Sequence, residues 1–302
     1  MRGVPASPPP NPSASQPAVA GQHYENFPVA SWLCPPHLRA PIGVIYAFAR
    51  TADDIADEGD ASPDERLEQL RAYRADLASA ARGEAFSDQW PKVFGPVAWA
   101  MANHALPEEP MADLLSAFSQ DIEMTRDGAS YPGRTELLDY CRRSANPIGR
   151  LLLHLYEVRD DKARRQSDAI CSALQLINFW QDISVDLPRH RHYLPDADLE
   201  AHGLAREQLQ AFRPLGEAPP PAMALQMVRE LVRWARALMM EGAPLVHRLP
   251  GRMGWELRFV VQGGLAILDK IEAQGFDSFS RRPSVGKGDL PRMAWKALWM
   301  RG

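Results

Sequence analysis

Two acid clusters, each closing an apolar helical run, constrain this chain more than any other feature. The first ends the run Phe48–Gly59, where Asp53, Asp54, Asp57 and Glu58 crowd the last turns before Gly59 stops the helix. Residues three and four apart share a helix face, so Asp53, Asp54 and Asp57 converge on one patch. The second lies in Asn178–Pro188, where Asn178, Asp182 and Asp186 fall at i, i+4 and i+8 along one line and Pro188 ends the helix. Carboxylates in a last turn meet the negative end of the helix macrodipole, at a cost of a few tenths to about 1 kcal/mol. A bound divalent cation would reverse the sign of that cost. Either cluster alone reads equally as a solvated helix end. Two of them on two long helices, with basic residues nearby, fit a Mg²⁺ site in a helical bundle, where waters and phosphate oxygens complete octahedral shells.

The rest of the chain agrees with a bundle. Alternating strand patterns bounded by tight-turn dipeptides are nearly absent, and helical periodicity recurs instead. Helices are expected over about 38–58, with Pro41 tolerated in the first turn, and over 63–82, which Ser62-Pro63-Asp64-Glu65 opens as a cap. Others follow at about 92–104, 110–126 and 135–157, the last kinked at Asn146-Pro147. Asp160 or Asp161 opens the helix that ends in the second acid cluster. After the basic loop 189–195 come a short helix near 205–212, a Pro-rich linker over 214–221, long helices at about 222–249 and 254–274, and a last short one over 290–300. No fixed-period repeat is present. The expected fold is therefore all-α, a single domain over 22–302 after a Pro/Ser/Ala-rich disordered tail over 1–21 without an apolar signal-peptide core.

With 302 residues, 45% of them apolar, the chain can build a sizeable core. A net charge of -4 gives no bulk attraction to nucleic acid. Cys34, Cys141 and Cys171 are scattered and odd in number, which reads as reduced core thiols in a cytoplasmic protein.

Acids that hold Mg²⁺ beside arginines suit a diphosphate: the cations neutralise it and guanidinium groups hydrogen-bond it. Arg50 lies three residues before Asp53, and Arg191 five after Asp186. Tyr46, Phe48, Phe179 and Trp180 surround the acids in sequence. They read first as core packing and second as the wall of a dry pocket whose aromatic faces stabilise a carbocation left by diphosphate loss.

At these residues the chain resembles the squalene and phytoene synthases, the head-to-head branch of the trans-isoprenyl diphosphate synthases. The resemblance spans about 24–274. It rests on Tyr46-x-x-x-Arg50-x-x-Asp53-Asp54-x-x-Asp57, on Tyr140-Cys141 with Gly149 downstream, and on Asn178-x-x-x-Asp182-x-x-x-Asp186 followed by Arg191-x-Tyr193-Leu-Pro. It implies an isoprenoid-synthase-type helical bundle around a central apolar cavity, with Mg²⁺ and a farnesyl or presqualene diphosphate substrate. Asp53, Asp57, Asn178, Asp182 and Asp186 correspond to the metal set, with Asp54 beside them. His23, Asn26, Phe27, Tyr46, Arg50, Gln175, Arg191 and Tyr193 fall where the family contacts substrate. Neighbouring squalene-pathway enzymes are the implied upstream and downstream partners.

Two positions depart from the family pattern. Gln181 replaces the arginine usual before Asp182, and Ser144-Ala145-Asn146-Pro147-Ile148-Gly149 replaces Val-Ala-Gly-x-Val-Gly. These variants are similar to those of the hydroxysqualene synthases of bacterial hopanoid clusters. That subgroup implies a carbon–oxygen lyase reaction in which presqualene diphosphate loses diphosphate and the rearranged cation is quenched by water, with no NADPH. No G-x-G-x-x-G stands at a strand-to-helix turn, but reducing members of the family lack one too, so the preference for water over hydride rests on the resemblance. Asn146 and Gln181 are candidates to hold the quenching water, since an amide both donates and accepts. The plainer reading has Asn146 satisfying backbone groups freed by the kink.

Two rival readings stand: condensation of two farnesyl diphosphates to presqualene diphosphate or squalene, and a non-catalytic assembly module on the same fold. The tail 291–301 mixes tryptophans with basic residues, as helices lying on the inner membrane surface do, although a final core helix with solvated arginines is the preferred reading.

Overall fold

The computed structural model describes residues 34–212 and 215–300. Among them are twelve α-helices and no β-strand; a single isolated bridge joins Phe212 and Ala218. The helices are α1 (Arg39–Asp57), α2 (Pro63–Arg82), α3 (Pro91–His104), α4 (Glu108–Asp127), α5 (Arg134–Ser144), α6 (Asn146–Leu155), α7 (Asp161–Gln181), α8 (Ile183–Asp186), α9 (Asp196–Ala201), α10 (Ala222–Gly242), α11 (Gly251–Ala273) and α12 (Leu290–Leu298).

The expected kink is a full break. Ala145 leaves helical geometry at φ -121°, and α6 restarts with Pro147 in its first turn, where its missing N–H costs no bond. The long helix expected over 222–249 ends at Gly242 and continues as a 3₁₀ turn over Ala243–His247, because Pro244 cannot donate. The second acid run bends at Asp182 (φ -102°, ψ 12°), which separates α7 from α8. The polar line survives the bend. Asp182 N–H donates to the Asn178 carbonyl at 2.8 Å, and Asp186 N–H to the Asp182 carbonyl at 2.8 Å, so the i, i+4, i+8 spacing stays helical.

Two apolar cores form. One gathers α1 to α4 around Phe48, Tyr73 and Phe94, all fully buried and packed ring against ring. The other runs along α7 and α10 around Trp180. Tyr156 packs against both. Phe48 and Trp180 are thus core residues, as their plainer reading had it. The first acid cluster rides on the first core and the second on the other, so the site between them depends on both.

The end of α1 is compensated from outside. Ser62 and Glu65 form a reciprocal capping box at the start of α2. One turn later Arg66 donates to the carbonyls of Ile55, Gly59 and Ala61 at 3.0, 2.7 and 2.9 Å. A guanidinium there satisfies a carbonyl in the last turn of α1 and two in the loop after it, and it offsets the negative dipole end of the helix.

Candidate active site

The apolar face of α1 (Val44, Ile45, Phe48, Ala52, Ala56) is buried, so its other face carries Tyr46, Arg50, Asp53, Asp54 and Asp57 outward. That face meets the end of α7 across a cleft of about 1290 Å³. Arg50, Asp53, Asp57, Asn178, Asp182 and Asp186 all line it, as do Gln175, Gln181, Arg191 and Tyr193. The cleft thus brings together the residues of both acid clusters except Asp54, with most of the substrate-side candidates that fall among the described residues. Asp54 is not among its lining residues and pairs with Arg50 at 2.7 Å. His23, Asn26 and Phe27 lie outside the described residues.

Arginines hold the acids apart. Arg50 reaches Asp53 at 3.1 Å. Arg191 donates to Asp57 at 2.6 Å, while its own N–H donates to the Asp186 carbonyl at 3.1 Å, so one residue ties the two acid clusters together. His190, in the left-handed region at φ 58°, makes the turn that aims it. Arg282 clamps Asp182 through both carboxylate oxygens. Gln181 supports that clamp: its buried side-chain amide donates to the Pro283 carbonyl at 2.8 Å. The sequence gives no sign of Arg282, which sits in an aperiodic loop 100 residues from its partner.

Asp121 was also missed, although it is an acid one turn beyond Ala117 on the buried face of α4. It accepts from the hydroxyls of Tyr140 and, at 3.3 Å, Tyr193. Tyr193 in turn stacks on Phe179 with ring centroids 3.8 Å apart. An edge of Asp121 faces the cleft, yet protein surrounds its carboxyl, and burial raises its pKa to about 7 against the opposing pull of the Tyr140 hydroxyl and Arg191. Burial, then the charge of Asp57, raises Asp53 to about 6; burial and then Asp182 raise Asp186 to about 7. Burial leads in all three, and the arginines nearby offset it only in part.

Beneath the mouth a second space of about 130 Å³ is walled by Ile45, Leu152, Leu174, Leu249, Met253 and other apolar groups. Tyr46, Arg50 and Asp53 line its near end, and Arg50, Asp53, Leu174 and Val260 border both spaces. A charged mouth therefore passes directly into an apolar pocket. Asn146 is not among the lining residues of either; it is buried, and its side-chain oxygen accepts from the Ser172 hydroxyl at 2.9 Å.

The oxygen-only donor set suits a hard divalent cation. Among the described residues no three His, Cys, Asp or Glu side chains gather into a ready-made metal cage.

A family model described as squalene/phytoene synthase matches residues 20–289. A hydroxysqualene synthase of Sinorhizobium fredii is 36% identical over 86% of this chain and 82% of its own length. A hydroxysqualene synthase of Rhodopseudomonas palustris is 34% identical over 78% of this chain and 75% of its own. The crystal structure of squalene synthase HpnC from Alicyclobacillus acidocaldarius superposes with a TM-score of 0.71 at 36% identity, covering 84% of this chain and 90% of that one.

Proposed function

The chain belongs to the squalene/phytoene synthase family, and from that premise we propose that it carries out the hydroxysqualene synthase reaction, converting presqualene diphosphate and water to hydroxysqualene and diphosphate. The observation that carries the chemistry is the charged cleft that opens into an apolar pocket across Arg50 and Asp53. A prenyl diphosphate fits such a site with its diphosphate at the mouth and its chains beneath. The choice of water over hydride rests on kinship with the hydroxysqualene synthases.

Arg50, Arg191 and Arg282 each hold a carboxylate at the mouth. We assign them a second role: they hydrogen-bond the diphosphate as its carbon–oxygen bond breaks and the leaving group takes the electron pair. Asp53, Asp57, Asn178, Asp182 and Asp186 would hold Mg²⁺, which supplies positive charge against the leaving diphosphate. The raised pKa values of Asp53 and Asp186 fit that role, because a cation beside them would offset both the burial and the neighbouring carboxylate charge that raise them. Tyr193 and Phe179, stacked on each other, line the cleft, where aromatic rings stabilise a cation. The apolar pocket keeps bulk water from the cation until rearrangement is complete. One water then adds its oxygen to the cation and loses a proton to solvent.

Gln181 acts in this scheme as a positioning residue for Arg282 through Pro283, in place of a direct hold on the quenching water. Gln181→Arg and Asn146→Gly test both ideas: an unchanged alcohol yield in both variants removes either amide from the quench.

The deciding experiment incubates the protein with Mg²⁺ and presqualene diphosphate in H₂¹⁸O without NADPH and reads the organic extract by mass spectrometry. An ¹⁸O-labelled C30 alcohol is expected. No turnover there, with presqualene diphosphate formed from farnesyl diphosphate, would assign the chain to the preceding condensation.

A further inference from the structure

Ten large hydrophobic side chains are exposed among the described residues, and six of them are Trp255, Phe259, Leu290, Trp295, Leu298 and Trp299, on α12 and the adjoining turns of α11. Only Met293 and Ala297 of α12 are buried. Trp295, Leu298 and Trp299 are 63%, 57% and 58% exposed, and the two indoles pack together with centroids 5.6 Å apart. The preferred sequence reading, a final core helix, is thus only half right: the inner edge of α12 packs and its tryptophans face outward.

This outward display is held in place. Arg292 and Lys296 both reach Asp269 of α11, at 3.1 and 3.0 Å. Lys270 pairs with Asp289 at the N-terminus of α12 at 3.0 Å. At the other end Arg258 donates to the carbonyls of Ala297 and Met300 at 2.8 and 3.2 Å while lying over the Trp255 ring. A frayed terminal helix would need no such clamps.

We propose that the outward face of α12, built on Trp295, Leu298 and Trp299, docks on an anionic lipid bilayer. Three features favour lipid over a protein partner. Tryptophans beside arginine and lysine are the composition of interfacial helices. Residues 281–300 carry Arg281, Arg282, Lys287, Arg292 and Lys296 against the single acid Asp289, in a chain of net charge -4; Arg282 is held on Asp182, but Arg292 and Lys296 share the one carboxylate of Asp269, which leaves excess positive charge beside α12. Leu290 and Met293 of the same helix, with Phe259, also line the cleft, so docking brings the mouth to the membrane surface. No helix among the described residues is long and apolar enough to cross a membrane, so the contact is one of lying on the surface. The benefit to a lipid substrate rests on the reading proposed above; the docking itself does not.

The test is flotation of the full chain with phosphatidylcholine vesicles and with vesicles containing phosphatidylglycerol. The chain floats with the anionic vesicles, and the triple variant Trp295→Ser, Leu298→Ser, Trp299→Ser binds at least about a hundredfold more weakly, a loss that partial burial of the three apolar groups already accounts for. The variant keeps turnover of substrate presented in detergent, which separates loss of docking from a wrong assignment of the reaction. Brominated acyl chains quench the wild-type tryptophan emission, a readout independent of how the variant folds. A wild-type chain that neither floats nor is quenched overturns the proposal, as does a variant that floats like the wild type. A concentration-dependent dimer abolished by the triple substitution, without flotation, would assign the face to a second copy of the chain.

Discussion

Arg191 bears on both acid clusters at once, through its guanidinium on Asp57 and its backbone on Asp186. Lysine keeps the charge but not the planar fork, so Arg191→Lys should lower the rate of diphosphate release by about ten- to a hundredfold. A continuous diphosphate assay reads this, and an unchanged rate would remove Arg191 from the site. Asp121 gives a pH signature. Its native pKa of about 7 lies above the ordinary carboxylate value, so the folded state binds the proton more tightly. Its contribution is therefore greatest at low pH, is lost as pH rises from the unfolded value to about 7, and is constant above. The span is at most about 4 kcal/mol, less where the cleft admits water. Asp121→Asn should flatten the difference between urea midpoints at pH 5 and pH 8; an identical difference in both proteins would mean that the carboxyl is not buried as described.

Each acid cluster ends a helix, and each helix is placed by contacts far from the acids. Arg66→Met removes the guanidinium that covers one carbonyl in the last turn of α1 and two in the loop that follows it. The expected cost is about 2 kcal/mol, a thermal midpoint lower by several degrees, with weaker binding at the first cluster as α1 frays. At the α6–α7 contact, a methyl group on Gly149 would overlap the Ser167 side chain and stand 2.7 Å from the Cys171 sulfur. Gly149→Ala should therefore destabilise by about 1–3 kcal/mol and tilt α7, lowering turnover together with stability. A variant with normal calorimetric stability would show that α6 can slide at no cost. Both effects arise from packing between elements; neither glycine nor arginine has a local signature that predicts them.

For the whole molecule, the pairing of Asp53, Asp57 and Asp182 with arginines has a measurable result. Mg²⁺ alone or diphosphate alone should raise the thermal midpoint little. The two together should raise it by several degrees, because each completes the site for the other; at a hundred times the apparent Kd the gain is about 2.7 kcal/mol. Equal shifts with either alone would indicate two independent sites. Much of this molecule was legible in its sequence. Helical period, proline and glycine stops, and the i, i+4, i+8 spacing of Asn178, Asp182 and Asp186 are local properties, and they yielded an all-α chain with the acids on helix ends. The kinship motifs are equally local, since they are residue types at fixed spacing. Arg50 meets Asp53 within one helical turn, but tertiary structure alone decided which cation from another element meets which acid. Arg282 on Asp182, Arg66 on the end of α1, and Asp121 between Tyr140 and Tyr193 join separate helices and loops, and nothing within a helical turn encodes such a meeting. The same holds for α12. Its sequence shows that the tryptophans share a short helix with basic residues, but which edge faces out is set by Asp269 and Arg258 on the neighbouring helix.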